Sequence, residues 1–458
     1  MLERPDPGTS RAAARATQVT IPGAAEAHDD RTSPRRRSPR GSLLTREVWA
    51  GLVVALALIP ESMSFAVVAG VRPEIGLMTS VVLAIGAAVV GGRPAMVSGA
   101  AGSVALVTAP LVREHGMRYL VAAVIVGGVL QVVLSLCGVA RLMRFVPRAV
   151  TTGFVNALAI LILLAQIPQL VHVPVTVYLL VGCGLILTPL CSRLVTTVPA
   201  PLVVTALLTV LAATVHPSVP RIGGAGGLGA PLMHVGIPTV PATVGTVLTI
   251  LPYSCALALV GLMESFLTAG LVDEITATDS NMRREGCGQG VANILAGAVG
   301  GMGGCAMIGQ TMINVKGSGA RTRLSPVVAG LALLAAALWG RHLLAMIPMA
   351  ALVVVMATVS LTTMDWRSLS PSALRNAPPA TTAVMAVTMI VTVATQNLAY
   401  GVVGGLAAAT VLGKAERVWR RRSAGPGPSG QRAVCERVGY REKADAAATA
   451  SATDDPFE

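Results

Sequence analysis

The sequence predicts an all-α polytopic membrane protein of about fourteen transmembrane segments, arranged as two inverted sets of seven. Three observations predict it. Hydrophobic residues make up 53% of the 458 and charged residues 12%, with a mean hydropathy of +0.70. A soluble fold keeps a large polar exterior and has no place for that much apolar surface. From about Val48 to Leu412 one apolar stretch follows another, many long enough to cross the roughly 30 Å hydrocarbon core. Finally, two glycine-rich breaks recur in related words, GGRPAMVSGAAG at 91–102 and GGCAMIGQTMIN at 303–314.

In chain order, residues 1–45 are rich in Arg, Ala, Pro and Ser and carry no apolar core, so a disordered basic tail is expected. No apolar run follows the first basic residues closely enough for a cleavable signal peptide. Repeat 1, residues 46–216, has segments at 48–68, 75–91, 97–112, 118–138, 149–169, 173–192 and 198–215. An extracytoplasmic linker follows at 217–245. Repeat 2, residues 246–412, has segments at 246–270, 287–301, 305–315, 324–340, 344–361, 378–396 and 398–412. Segments 97–112 and 305–315 are too short for a full crossing. Residues 413–458 form a short cytoplasmic tail.

The formal net charge of +13 follows topology rather than a nucleic-acid surface. Basic residues gather in the tails (Arg35, Arg36, Arg37 and Arg40; Lys414, Arg417, Arg420, Arg421 and Arg422) and in every second loop. Those loops carry Arg141, Arg144 and Arg148, then Arg283 and Arg284, then Lys316, Arg321 and Arg323, then Arg367 and Arg375. The opposite loops hold only Arg72, Arg113, Arg118, Arg221 and Arg341. The positive-inside rule then puts both termini in the cytoplasm of a multi-pass plasma-membrane protein. The cysteines show no metal or redox spacing, and no nucleotide-binding loop or Ser-His-Asp set is present, so an enzyme or ATP-driven pump is not expected.

The two halves share a pattern. ALALIPESMSFAVVAG (55–70) and ALALVGLMESFLTAG (256–270) each place a Glu-Ser pair in an apolar helix ending in Ala-Gly, with a glycine break downstream. Paired interrupted segments in two weakly similar halves are the sign of an inverted-repeat transporter. Backbone that leaves helical geometry inside lipid exposes unpaired polar groups, and is tolerated only where it lines a protein-enclosed cavity. Two short helices beginning at the breaks would aim their free N–H groups at one anion seat. Its expected walls are Ser98, Gly99, Ala100 and Ala101 from one copy and Ala306, Gly309, Gln310 and Thr311 from the other. Glycine breaks also serve close helix packing, so the pairing with two acids carries the functional reading.

Those acids, Glu61 and Glu264, are the only ones expected well inside apolar spans. An intramembrane carboxylate faces a cavity or a partner, and either residue can carry a proton or hold Na⁺. Thr268 lies one turn after Glu264 on the same helix face and can add an oxygen ligand. Asp273, Glu274 and Asp279 read as solvated loop charges.

LIPESMSFAVVAGVRPEIGL (58–77), ALVGLMESFLTAGLVDE (258–274) and GQGVANILAGAVGGMGGCAMIGQTMINVKGSGARTRLS (288–325) resemble the sulfate permease (SulP) family of anion transporters in its bacterial branch. The likeness covers most of 46–412. It implies core and gate subdomains, a substrate such as sulfate or bicarbonate held between the third and tenth segments, and elevator-like movement of core against gate. It further implies a sodium site at Glu264 and Thr268, with Gly304 near a third ligand position. The chain departs from the family in having Gln310 where many relatives carry arginine, in a VKGSGART loop one residue longer, and in lacking room for a C-terminal STAS domain.

The reading is a secondary active transporter of an inorganic anion, sulfate-like or bicarbonate, coupled to H⁺ or Na⁺ through Glu264, with no other cofactor. Rival readings are a nucleobase permease of similar architecture and a passive anion channel. The expected partners are the anion and the lipid bilayer, with a homodimer allowed and no nucleic acid.

Overall fold

A computed structural model describes residues 40–142, 146–194, 199–215, 219–222, 240–241 and 243–423. Residues 1–39 and 424–458, most of the 217–245 linker, Arg144, His216 and His234 lie outside the described residues.

The apolar runs form helices whose ends follow local chemistry. α1 (Arg40–Val68) precedes α2 (Pro73–Val90), which starts on a proline after an extended Arg72. A three-residue strand, β1 (Ser98–Ala100), leads into α3 (Gly102–His115). Gly116, at φ +78°, separates α3 from α4 (Met117–Leu136), a turn that suits a residue without Cβ. The first half continues through α5 (Val139–Leu142), α6 (Arg148–Leu164), α7 (Val175–Leu194) and α8 (Ala200–Val215).

In the second half α9 (Val244–Thr276) is capped by the Thr243 hydroxyl, which accepts from the Thr246 amide at 3.3 Å. Asn281 caps α10 (Met282–Ala298) through the Arg284 amide at 2.9 Å. Then come β2 (Gly304–Ala306), α11 (Ile308–Met312), a π turn over Ile313–Gly317, and α12 (Leu324–Trp339). The chain closes with α13 (Arg341–Ala345), α14 (Met349–Thr363), α15 (Pro371–Asn376), α16 (Pro379–Thr395) and α17 (Leu398–Ser423).

Among the described residues six helical stretches are long and apolar enough to cross a membrane: Leu43–Val68, Pro73–Val90, Met117–Leu136, Arg148–Leu170, Val175–Leu194 and Val244–Thr276. Five shorter apolar helices accompany them, so the structure describes a helical membrane protein without fixing fourteen crossings.

The two breaks differ from the helix starts expected of them. Ser98, Gly99 and Ala100 pair antiparallel with Ala306, Cys305 and Gly304, respectively. The physical reason is hydrogen bonding: two facing helix starts would leave orphaned amides, whereas paired extended strands satisfy one another. A Cβ on Gly304 would sit 2.0 Å from the Gly99 carbonyl oxygen, so this pairing requires glycine there. The α3 helix begins only at Gly102, and the α11 helix runs five residues before it widens into the π turn.

Around this strand pair α1, α2, α4, α9, α10 and α12 pack as one group. A second group contains α6, α7, α8, α14, α16 and α17. They meet where α1 touches α8 and α14, where α3 touches α6, and where α9 touches α17.

Candidate functional site: a cavity closed by two carboxylates

The strand pair is braced by side chains from the helices around it. The Ser80 hydroxyl accepts from the Ala100 amide at 2.9 Å and shares a hydrogen with Ser62 at 2.6 Å. Ser265 accepts from the Ala306 amide at 3.2 Å, and Thr311 from the Val97 amide at 3.0 Å. Asn293 bonds both backbone groups of Gly304 at 2.9 Å, and its amide also reaches Gln131 at 2.9 Å. The Ser98 hydroxyl donates to Gln289 at 2.9 Å. All of these side chains are buried. The centre of the molecule is therefore a buried hydrogen-bonded cross.

Beside this cross, between the two helix groups, is a cavity of about 990 Å³. Its lining runs along α1 from Arg46 to Phe65. One end holds Glu61, Glu264, Ser103, Gly309 and Gln310; the other is bounded by Arg46, Ser192, Pro199 and Thr362, which lie at helix ends. Among the described residues the charged ones in the lining are Arg46, Glu61 and Glu264.

The two carboxylates are held across the halves. Gln310, after the second break, donates through Nε2 to Glu61 of α1. Ser103, after the first break, donates to Glu264 of α9, which also accepts from the Cys305 thiol at 3.1 Å. The Gln310 Oε1 atom is buried and has no hydrogen-bond partner among the described residues. An added Cβ on Gly309 would meet nothing within 4 Å.

Of the residues expected at the site, the structure brings Glu61, Glu264, Gly309, Gln310 and Ala101 to the cavity wall. Ser98, Gly99, Ala100 and Ala306 belong to the sealed strand pair and do not line the cavity. Thr311 is also withdrawn, its hydroxyl committed to the Val97 backbone. The proposed sodium ligands are only partly gathered. Thr268 donates to the Glu264 carbonyl at 2.8 Å and the Ala306 carbonyl at 3.2 Å, and is fully buried. The Gly304 carbonyl faces α10 instead, accepting from Asn293 at 2.9 Å and Gln289 at 3.3 Å.

Sequence reasoning missed the residues that hold this arrangement. Ser103 and Cys305 are close neighbours in the chain of residues it did single out. Gln289 and Asn293 are one turn apart on glycine-rich α10, an i, i+4 polar pair whose spacing marks one buried face. Another correction concerns Asp273. The α9 helix continues to Thr276, and Asp273 pairs at 2.8 Å with Arg93, whose side chain is buried. Arg93 also donates to Thr276, to Thr278 and to the carbonyls of Val272 and Thr278. Buried Glu285 caps the same loop, accepting from the Gly92 amide at 2.7 Å and the Arg93 amide at 2.8 Å. Glu274 and Asp279 are exposed, as expected of them.

The chain matches the sulfate permease family over residues 44–181 and 175–388. It is 47% identical over 369 residues to YbaR of Bacillus subtilis, a protein named as a candidate sulfate transporter, covering 81% of this chain and 77% of that one. It is 26% identical over 355 residues to the bicarbonate transporter BicA of Picosynechococcus sp., covering 70% of this chain and 62% of the relative. Two solved structures share the fold. The transmembrane domain of a cyanobacterial BicA superposes with a TM-score of 0.69 at 23% identity, over 80% of this chain and 97% of that domain. The murine solute carrier 26 family member A9 anion transporter, inward-facing, gives 0.71 at 15% identity, over 85% of this chain and 74% of that one. The relatives named are transporters, not enzymes, and the chain belongs to the sulfate permease family.

Proposed function

We propose that this protein is a secondary active transporter of an inorganic anion, sulfate or bicarbonate, driven by H⁺ or Na⁺. The observation that carries the proposal is the pair of carboxylates, Glu61 and Glu264, at one end of a cavity whose remaining charged lining residue among the described ones, Arg46, lies at the other end. An anion about 5 Å from an ionised carboxylate, at an effective dielectric of about 20, is repelled by about 3 kcal/mol, roughly a hundredfold in occupancy. Neutralising Glu264 with a cation therefore raises the anion's occupancy, which couples the two movements. In this scheme Glu264 takes the cation, a proton or a sodium ion shared with Thr268, and Glu61 with Gln310 forms the opposing wall.

The breaks supply the anion's contacts. The α3 helix starts at the cavity with Gly102 and Ser103, so its first amides carry partial positive charge where a fixed cation is lacking. The cavity's open end lies at the helix ends that the positive-inside rule assigns to the cytoplasm, an inward-facing state. Transport in this scheme is the elevator movement of one helix group past the other, within two inverted repeats of seven crossings.

The test is uptake of labelled sulfate, bicarbonate and uracil into proteoliposomes, with proton and sodium gradients imposed separately. Uphill accumulation of one anion under one gradient is expected, and Glu264→Gln should abolish the gradient dependence while the protein remains monodisperse. Uracil uptake alone, gradient-independent flux, or unchanged coupling in Glu264→Gln would overturn the proposal.

A further inference from the structure

A second cleft, of about 690 Å³, lies where α4 and α5 turn into α6 and face the α9–α10 corner. Its lining includes Arg141, Arg148 and Arg283, all exposed, and no carboxylate among the described residues. Apolar side chains, Leu136 and Phe266 among them, make the rest of the wall. We propose that this cleft seats the phosphate of an anionic phospholipid of the cytoplasmic leaflet.

The arginines supply a cluster of guanidinium forks that match phosphate oxygens. Topology places them on the cytoplasmic side, where anionic headgroups meet basic pockets between helices. A free anion would need only that charge; a lipid also needs a greasy path for its tails. That path is present on α4, where Val129, Val133 and Leu136 are 46%, 47% and 52% exposed at i, i+4 and i+7. These three form one apolar stripe leading up the helix from the cleft into the hydrocarbon. Leu267 lines both this cleft and the transport cavity, so the bound lipid shares a wall with the cargo site. The cleft also joins α6 of one helix group to α4, α9 and α10 of the other.

Cys137, an exposed thiol in the cleft wall, gives a direct readout. The full chain is placed in nanodiscs of phosphatidylcholine, with or without phosphatidylglycerol, and the rate of Cys137 modification by a neutral maleimide is followed by peptide mass spectrometry. Phosphatidylglycerol is expected to slow modification by about fivefold or more, since one basic contact near the surface is worth about that factor. Inorganic phosphate and glycerol 3-phosphate added to phosphatidylcholine discs should give no protection. The triple variant Arg141→Gln, Arg148→Gln, Arg283→Gln should lose the protection and retain less phosphatidylglycerol in native mass spectrometry. The triple variant Arg72→Gln, Arg113→Gln, Arg118→Gln, from the opposite loops, should behave like the wild type.

Equal Cys137 rates in the two discs would overturn the proposal. So would protection by inorganic phosphate alone, which would make this a free-anion site, or equal lipid loss in both triple variants, which would make it general surface charge. Should the first triple variant not fold, the wild-type comparison still decides.

Discussion

The two breaks begin alike and end differently. Each contributes three residues to one antiparallel pair, and each is followed by a side chain that bonds a carboxylate of the other half: Ser103 to Glu264, Gln310 to Glu61. After the first break the backbone settles into a regular helix of 14 residues. After the second it makes five helical residues and then a π turn, with Asn314 reaching back to the Ala95 carbonyl at 2.8 Å and to Ser325 at 2.6 Å. The first break is anchored by charge, through Arg93, Asp273 and Glu285. The second is held by hydrogen bonds such as those of Asn314, and presents Gly309 and Gln310 to the cavity. Single-turn π segments recur at functional sites because they add a residue where a straight helix would point its side chains elsewhere. Both breaks reach the cavity, the first through Ala101, Gly102 and Ser103 and the second through Gly309 and Gln310, but the ion pair of buried Arg93 with Asp273 belongs to the first.

The sharpest way to break this comparison is within the second break itself. Gly304→Val places a side chain against the Gly99 carbonyl, where even a Cβ would sit 2.0 Å away. Backbone cannot retreat without unpairing the strands, so at least about 3 kcal/mol is lost and monodisperse protein should disappear in size-exclusion chromatography. Gly309→Ala, a few residues on, enters open space and should leave the elution profile unchanged. Equal damage from both would mean that the strand pair is not the structural centre.

Next in size is the charged anchor. Arg93→Ala strips the partner from Asp273 and from the Thr276–Thr278 turn, and breaking one side of a buried pair costs about 3 kcal/mol. The temperature at which half the monodisperse protein is lost should fall clearly. Arg93→Lys should restore little, because a point charge does not span the separate acceptors that the guanidinium fork reaches. Full rescue by lysine would show that charge alone anchors this break.

Smaller effects separate the two carboxylate clamps. Gln310→Leu removes the side chain that donates to Glu61, whereas Ser103→Ala leaves Glu264 with Cys305. Losing a buried side-chain hydrogen bond and leaving its partner unsatisfied costs about 1–3 kcal/mol, so initial uptake rates should fall by about fivefold or more in Gln310→Leu and less in Ser103→Ala. The reverse order would give the first break the greater part in cargo contact.

The helices and the two acids were legible in the sequence because apolar run length and an isolated intramembrane glutamate are one-dimensional signals. The glycine breaks were legible too, but not their geometry. A glycine break can lead into a new helix or into a strand, and here the outcome depends on residues about two hundred positions apart pairing with each other. The same separation hid the Arg93–Asp273 pair: Asp273 looks like a loop charge until α9 is seen to run on to Thr276. Ser103 was passed over because Ser98 seemed the natural hydroxyl at a helix start, and the start lies four residues later, at Gly102.

That last displacement gives the finest test. Ser98 faces Gln289 inside the sealed cross, while Ser103 faces Glu264 at the cavity. Both are buried serines with one side-chain acceptor, and the same deletion of a hydroxyl should therefore read out differently. Ser98→Ala removes a neutral hydrogen bond worth about 1 kcal/mol, lowering thermal stability slightly and leaving the initial rate of anion uptake within about twofold of wild type. Ser103→Ala, at similar stability, should slow uptake and alter its dependence on the driving cation, because the lost partner belongs to Glu264, the carboxylate proposed to take the cation. If Ser98→Ala instead cut uptake as deeply as Ser103→Ala, the anion would have to reach the strand pair itself, and the cavity boundary drawn at Ala101 would be misplaced.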